Sequence, residues 1–510
     1  MRVVGAYLSL LFVIVQSTCS AEGAAPLRAG VGVENITAES PTVPVHDPLY
    51  AKALVFDDGR SQVVLVAADL IVASEPLVSG VRRQVQEELK IDATSLLLNA
   101  SHNHHTQGQV AKDVVQRIVR AVKRAAESMA PAQVGWGEGS EGRVTMNRRL
   151  RTKDGKHWTI RRAIPSPPDD EVEGVGPVDP EIGLLRVDSA EGKPLALVYN
   201  FAGHAYGGVP GRGVTADFPG FASRVIEAAW PGAVAIFLQG AAGDITPVGY
   251  KNFDAPAPTE QLGTMLGLSA LKAAQQVSTG SEASIQTIRE TVELPRRTDL
   301  QERIESLRSR QEEILKFFAG IGCGAHGAGT ALNFKSFLPL YLRHLADPSH
   351  PSGASYLYGH ETATEEDLRE LDEENRKRLE TYLECIENME KLIRVRTDLY
   401  GLERLLEDPG TGPILAEVQG VRIGEFALVT FPGEPFAEVG LRIKERSAFP
   451  HTFIAGYSNG SIGYAPTADC YDKEAYEDVS TRLAPQWQEI YEARALDILH
   501  RLHPADSKPR

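Results

Sequence analysis

Along the first half of the chain, short unbroken apolar runs alternate with amphipathic stretches. Residues 63–70, 96–100, 195–201 and 233–238 are apolar runs of strand length, the pattern of strands covered on both faces. Between them, 78–89, 110–129, 218–230 and 261–277 space their apolar residues at the helical interval. This alternation predicts an α/β fold, a mixed β-sheet core flanked by helices.

The pattern changes over 298–410. Thr298-x-x-Gln301 and Thr362-x-x-Glu365 are capping-box sequences ahead of helical runs. Leu300, Ile304, Leu307, Ile314 and Leu315 fall on one helical stripe, and Leu368, Leu371, Leu379, Leu383 and Ile386 on another. The Gly/Ala-rich stretch 320–329 between them reads as a loop. The expectation is an antiparallel helical insertion. It is either a hairpin packed on the body or a lid whose Phe317, Phe318, Phe334, Phe337 and Tyr341 face an oily substrate. Strand-like segments return after Thr411, and 486–502 has the spacing of a closing helix. The expected organisation is one body, 28–297 plus 411–505, interrupted by the insertion 298–410.

Composition is that of an ordinary globular chain, with 42% hydrophobic and 24% charged residues. A formal charge of −15 argues against a general nucleic-acid binder and against attachment to anionic lipid by charge. Residues 1–21 have the form of a secretory signal peptide: Arg2, an apolar run from Val3 to Val15, then Cys19-Ser20-Ala21. That run is too short for a stable transmembrane anchor, so a secreted or periplasmic protein is expected. A lipid-modified Cys19 is the weaker alternative. Cys323, Cys385 and Cys470 form no zinc-thiolate motif, and their pairing stays open.

The chemistry is concentrated where apolar runs end. Leu96 to Ala100 runs directly into Ser101-His102-Asn103-His104-His105. If the chain stays extended, His102 and His104 point the same way, and paired imidazoles suit Zn²⁺. Val198 to Phe201 leads through a glycine to His204. Gln239-Gly240-Ala241-Ala242-Gly243-Asp244 follows another strand with a turn that brings backbone close to a ligand. There Asp244 is a candidate to orient a histidine or bind a substrate hydroxyl, or else an ordinary turn residue. Pro432-Gly433-Glu434 presents a carboxylate before a helix near Phe436, and Tyr464 leaves a Gly/Ser/Asn-rich loop. His105 faces away in this geometry and is expected either to support the ligands from behind or to be merely structural.

These motifs, in this order, resemble the neutral/alkaline ceramidase family. The segments His46 to Ala53 and Asp179 to Arg186 resemble its N-terminal region, and the resemblance covers roughly residues 28–295 and 412–480. It implies a catalytic zinc held by His102, His104, His204, Glu434 and Tyr464, cleavage of an N-acyl amide by zinc-activated water, and a small-molecule amide or lipid substrate. The family carries a serine at the catalytic turn where this chain has Gly240. With that serine gone, Tyr464 and the backbone N–H groups of 240–243 are expected to stabilise the oxyanion, with Gly240 and Asp244 in the site. The competing readings are a zinc esterase or other small-molecule hydrolase, and a non-catalytic metal-bearing binding protein. A counterpart of the C-terminal β-domain of the longer members is not expected here, and the 298–410 insertion is expected to depart from the family pattern.

Overall fold

The computed structural model describes residues 26–160, 166–249, 258–321, 333–349, 364–407, 410 and 412–503. The leader expected at 1–21, Cys323 and most of the 320–329 loop lie outside these residues. The architecture is α/β, built on two mixed sheets. The first has eight strands: β1 (Arg28–Asn35), β2 (Tyr50–Asp57), β3 (Gln62–Ala68), β4 (Leu96–Ala100), β5 (Ala130–Ser140), β6 (Glu181–Ser189), β7 (Pro194–Phe201) and β8 (Val234–Gln239). Their order is β8-β7-β6-β5-β1-β2-β3-β4, with β7/β8 and β3/β4 parallel and the other pairs antiparallel. The second sheet is β9 (Ile285–Leu294), β10 (Ile414–Ile423), β11 (Phe426–Thr430) and β12 (His451–Ala455), in that order.

Side-chain alternation explains the unbroken apolar runs. In β3, Val64, Val66 and Ala68 enter one core while Val63, Leu65 and Ala67 enter another. Leu96, Leu98 and Ala100 of β4 join the first core, and Leu97 joins the second. The first core lies under helices α1 (Glu75–Leu89) and α2 (Val114–Glu127), through Val78, Val81, Ile118 and Val122. The second lies between the sheets, where Phe426, Leu428 and Phe453 meet Leu185 and Ile236. Helices α3 (Asp217–Ala229) and α4 (Thr259–Ala274) cover the β6–β8 end of the first sheet. The result is four layers, helix–sheet–sheet–helix.

Strands β1 and β5 are not signalled by apolar runs because both are glycine-rich. A Cβ at Gly32 would strike the backbone of Ala121 and Ala125, so glycine is what lets α2 lie on β1.

The excursion consists of α5 (Leu300–Ile321), α6 (Phe334–Ala346) and α7 (Glu365–Leu406). It leaves and re-enters between neighbouring strands, since Leu294 of β9 pairs with Ile414 of β10. Arg296 Nε also donates to Gly412 O at 3.2 Å. The expected cap of α7 is corrected: Thr364 and Asp367 form the capping box, two residues past Thr362. Leu300, Ile304, Ile314, Val395, Leu399 and Leu402 pack with Val479 of the body in a small core. Leu315 and Leu371, placed on the apolar stripes by the sequence, are 49% and 43% exposed. Phe337 packs on Tyr341 and Tyr382 within the excursion, not on a ligand surface.

Two helices close the second sheet. They are α8 (Ala437–Arg446), starting just after Phe436, and α9 (Trp487–Leu502), which buries Trp487, Tyr491 and Leu499 completely. A Leu buried this way contributes on the order of 2 kcal/mol. Among the described residues no helix is long and apolar enough to cross a membrane. Cys385 is disulfide-bonded, and Cys470 is a buried free thiol.

Candidate metal centre

The ends of β4, β7 and β11 converge. Beyond Ala100, Ser101 N and Asn103 N donate to Ala68 O and Leu70 O, so the chain still follows β3. It is not extended, however. His102 has φ 57°, in the left-handed region, and His104 opens a short 3₁₀ turn. This kink, rather than strand alternation, sets the two imidazoles side by side. His104 N donates to Ala205 O at 3.0 Å, which ties the turn to His204 just past β7.

The Nε2 atoms of His102 and His104 lie 3.1 Å apart. Glu434 Oε2 lies 3.3 Å from His102 Nε2 and 3.4 Å from His204 Nε2. Potential ligand atoms of the three histidines all fall within 4.8 Å of one another. His102 Nδ1 pairs with Ile71 O at 2.8 Å and His204 Nδ1 with Ala242 O at 2.7 Å. Those bonds place the ring proton on Nδ1 and leave each Nε2 lone pair facing the cluster, the usual arrangement of metal-ligating histidine. His204 Nε2 and Glu434 Oε2 are buried without a hydrogen-bond partner. A tetrahedron with bonds of ~2.1 Å has edges of ~3.4 Å, so the donor set and its spacing fit zinc. His104 is the least buried of the three and marks the side open to solvent.

Electrostatics favour the ligand forms. Burial, then His102 and His204, pushes the His104 imidazole down to about 2. Burial, then Arg148 and His102, pushes His204 down to about 3. Burial disfavours charge on Glu434, but His102 and His204 outweigh it and hold its carboxyl well below the usual range.

The other expected site residues are placed differently. Tyr464 pairs in register with Glu434, and its hydroxyl accepts a hydrogen bond from Arg148 Nη2 at 3.1 Å. Burial, then Glu434, raises its phenol well above the ordinary value. Asp244 is fully buried and does not touch a candidate ligand histidine. It accepts from Asn147 Nδ2 at 2.7 Å and from Ala437 N at 2.9 Å, so its carboxylate holds the start of α8. The oxyanion role expected for the 240–243 turn is corrected at both glycines. Gly240 N donates to Phe201 O and Gly243 N to Pro435 O, each at 2.9 Å. A Cβ on Gly240 would meet Ala202 N and Cα at 3.0 Å, so this glycine serves close packing of the β7 and β8 ends. His105 turns away from the cluster, with Nε2 3.4 Å from Asp217.

Several polar residues around the cluster were given no role by the sequence reading. Gln239 is fully buried, and its amide links both histidine-bearing ends: Nε2 donates to Ser101 O (2.9 Å) and Gly203 O (2.7 Å), and Oε1 accepts from Gly203 N (3.1 Å). Asn99 donates to Gly456 O at 2.7 Å and accepts from Gln239 N at 2.8 Å. Arg148 pairs with Glu477 and donates to Gly243 O, Tyr206 and Tyr464. The ring of Tyr206 packs edge-on against His104 and His204. A polar residue inside or ending an otherwise apolar strand was the available signal for Asn99 and Gln239.

Two curated relatives span most of the chain. A neutral ceramidase of Mycobacterium tuberculosis is 24% identical over 534 residues, covering 91% of this chain and 75% of its own. A neutral ceramidase of Pseudomonas aeruginosa is 22% identical over 535 residues, covering 93% and 72%. Both relatives are neutral ceramidases, the family whose motif series this chain resembles. The fold agrees with that of solved members. A crystal structure of neutral ceramidase from Pseudomonas aeruginosa superposes with a TM-score of 0.59 at 19% identity, covering 95% of this chain and 76% of the other. A ceramidase complexed with C2 gives 0.60 at 18%, covering 95% and 77%. No family model matches the chain.

Proposed function

We propose that this neutral ceramidase relative is a zinc-dependent hydrolase of N-acyl amides. The observation that carries the reading is the donor cluster of His102, His104, His204 and Glu434, spaced 3.1–3.4 Å across its close pairs. Zinc bound there supplies a Lewis acid that activates water for attack on a carbonyl. The chain's own residues do the positioning. Ile71 O and Ala242 O fix two imidazoles, and Gln239 fixes the segments that carry them. Arg148 brings a buried positive charge against the hydroxyls of Tyr464 and Tyr206, a charge that would favour negative charge developing nearby.

The substrate side of the proposal turns on the excursion. A cleft of about 740 Å³ lies between α5, α7 and the body, lined by Trp158, Arg303, Leu307, Lys391 and Tyr476 among others. Its lining reaches towards the site through Tyr476, whose ring stands 5.6 Å from that of Tyr464. Arg394 covers the Trp158 ring at 3.9 Å. Walls this charged favour a compact polar amide over a long acyl chain, so the excursion acts as a narrowing lid. A secreted or periplasmic location belongs to the same proposal, on the strength of the 1–21 pattern. Esterase activity, or ligand binding without catalysis, is the second reading. It draws on Gly240, which offers neither a hydroxyl nor a free N–H.

The deciding experiment measures zinc content and then cleavage of N-acyl amides and esters, before chelation, after it, and after zinc is restored. Amide cleavage that disappears with the metal and returns with it is expected. Cleavage undiminished in metal-free protein contradicts the proposal, and ester cleavage alone selects the second reading.

A further inference from the structure

Tyr457 carries a buried hydroxyl with no hydrogen-bond partner. The residue is 2% exposed, and its ring lies on that of His102, with centroids 4.2 Å apart. The His204 ring is 6.3 Å away. Buried tyrosine hydroxyls ordinarily find a partner. His204 Nε2 and Glu434 Oε2, both part of the donor cluster, are likewise buried without a partner.

The position is held deliberately. Tyr457 has φ 55°, a left-handed conformation that non-glycine residues rarely adopt. Its N–H donates to Gly433 O at 2.9 Å, and its carbonyl accepts from Ala100 N at 3.1 Å. The turn that presents Glu434 and the strand that presents His102 therefore both grip its backbone. Gly456, next to it, packs so closely on the Gly240 carbonyl that a Cβ there would come within 2.6 Å. A strained tyrosine, fixed from two sides with its hydroxyl unspent, is a feature of functional sites rather than of packing. Tyr464 differs in that its hydroxyl accepts a hydrogen bond from Arg148.

We propose that Tyr457 is a catalytic residue, whose hydroxyl donates a hydrogen bond to the substrate carbonyl oxygen as negative charge develops there. It thereby fills the role that the Gly240 N–H cannot, that N–H being spent on Phe201 O. The inference rests on the hydrolase reading above and adds the group that contacts the reacting oxygen.

The test is Tyr457→Phe, which keeps the ring and removes only the hydroxyl. Zinc stoichiometry should match the wild type, and the melting temperature of metal-free protein should hold or rise, since no protein hydrogen bond is lost. Turnover of an N-acyl amide should fall by roughly 100-fold, the usual effect of removing one oxyanion donor, with KM little changed. As a readout apart from activity, acetohydroxamate binding to zinc-loaded protein should weaken by about 10-fold, the cost of one hydrogen bond to a charged group. Wild-type turnover and hydroxamate affinity in the variant would overturn the proposal. Loss of zinc would also overturn it, by making Tyr457 a ligand. If the wild type cleaves no amide, the hydrolase reading fails, and the hydroxamate comparison still decides whether the hydroxyl binds an oxyanion.

Discussion

Around the donor cluster, buried amides and carboxylates of the α/β body pair between elements distant in sequence. Gln239 reaches Ser101 and Gly203, Asn99 reaches Gly456, Asn459 Oδ1 accepts from Leu98 N, and Asp244 holds Ala437. The excursion is built the other way. Nine of the fourteen large hydrophobic residues exposed among the described ones lie on α5, α6 and α7, and its core is the small cluster around Ile304 and Leu402. The body therefore holds its site by directional bonds that tolerate no slack. The excursion adds a wall to the cleft with little bearing on the cluster itself. Left-handed backbone at His102, Tyr457 and Asn459 belongs to the same contrast. It costs roughly 1–3 kcal/mol at each residue and persists only in a rigid surround.

The comparison breaks first at Gln239. Gln239→Leu strands two carbonyls and one N–H in the interior, and should destabilise the protein by roughly 3 kcal/mol in urea unfolding. It should also weaken zinc affinity, because the same amide positions both histidine-bearing ends. Unchanged stability would mean the network is ornamental. Gly240→Ser comes next. Its Cβ meets the Ala202 backbone at 3.0 Å, so a loss of about 1–2 kcal/mol is expected from overpacking. No large gain in ceramide cleavage should accompany it, and such a gain would show a pocket already shaped for ceramide.

Replacing 298–410 by a short Gly/Ser linker sharpens the other side of the contrast. The link is short, since Arg296 already touches Gly412. Zinc content should stay the same, and bulkier amides should become substrates in a competition assay. An unchanged substrate range in a folded, zinc-loaded variant would reduce the excursion to a packing element.

The smallest effect concerns His157, at the junction of the two regions. Burial, then Arg149, pushes its imidazole down to about 4. The folded state thus binds its proton later than the unfolded chain does, whose value is about 6.5. Between these values the unfolded state holds more protons, so stability falls as pH drops from about 6.5 towards 4. Denaturation curves of His157→Gln should show a shallower pH dependence in that window. Parallel curves would remove His157 from the account.

Much of this was legible in the sequence, for physical reasons. Runs such as 63–70 and 96–100 announced strands because both faces of β3 and β4 are apolar, and His102, His104, His204 and Glu434 announced themselves by standing at run ends. Strands β1 and β5 were silent because packing against helices demanded glycine, which erases the apolar signal. The roles of Gln239, Asn99 and Arg148 were hidden, since a buried amide or guanidinium is defined by partners far away in sequence. Side-by-side placement of His102 and His104 was anticipated on the wrong ground, alternation, where a left-handed kink does the work. The α7 cap was misplaced by two residues because Thr362 and Thr364 offer equivalent hydroxyls, and the sequence does not rank them.

The central claim is that the strand-end cluster is a zinc site. Elemental analysis of the purified chain beside the His102→Ala/His104→Ala double variant tests it most directly. One zinc per chain in the wild type and none above background in the folded variant is the predicted result. Full occupancy in the double variant, or a wild type that takes up no zinc, would contradict it.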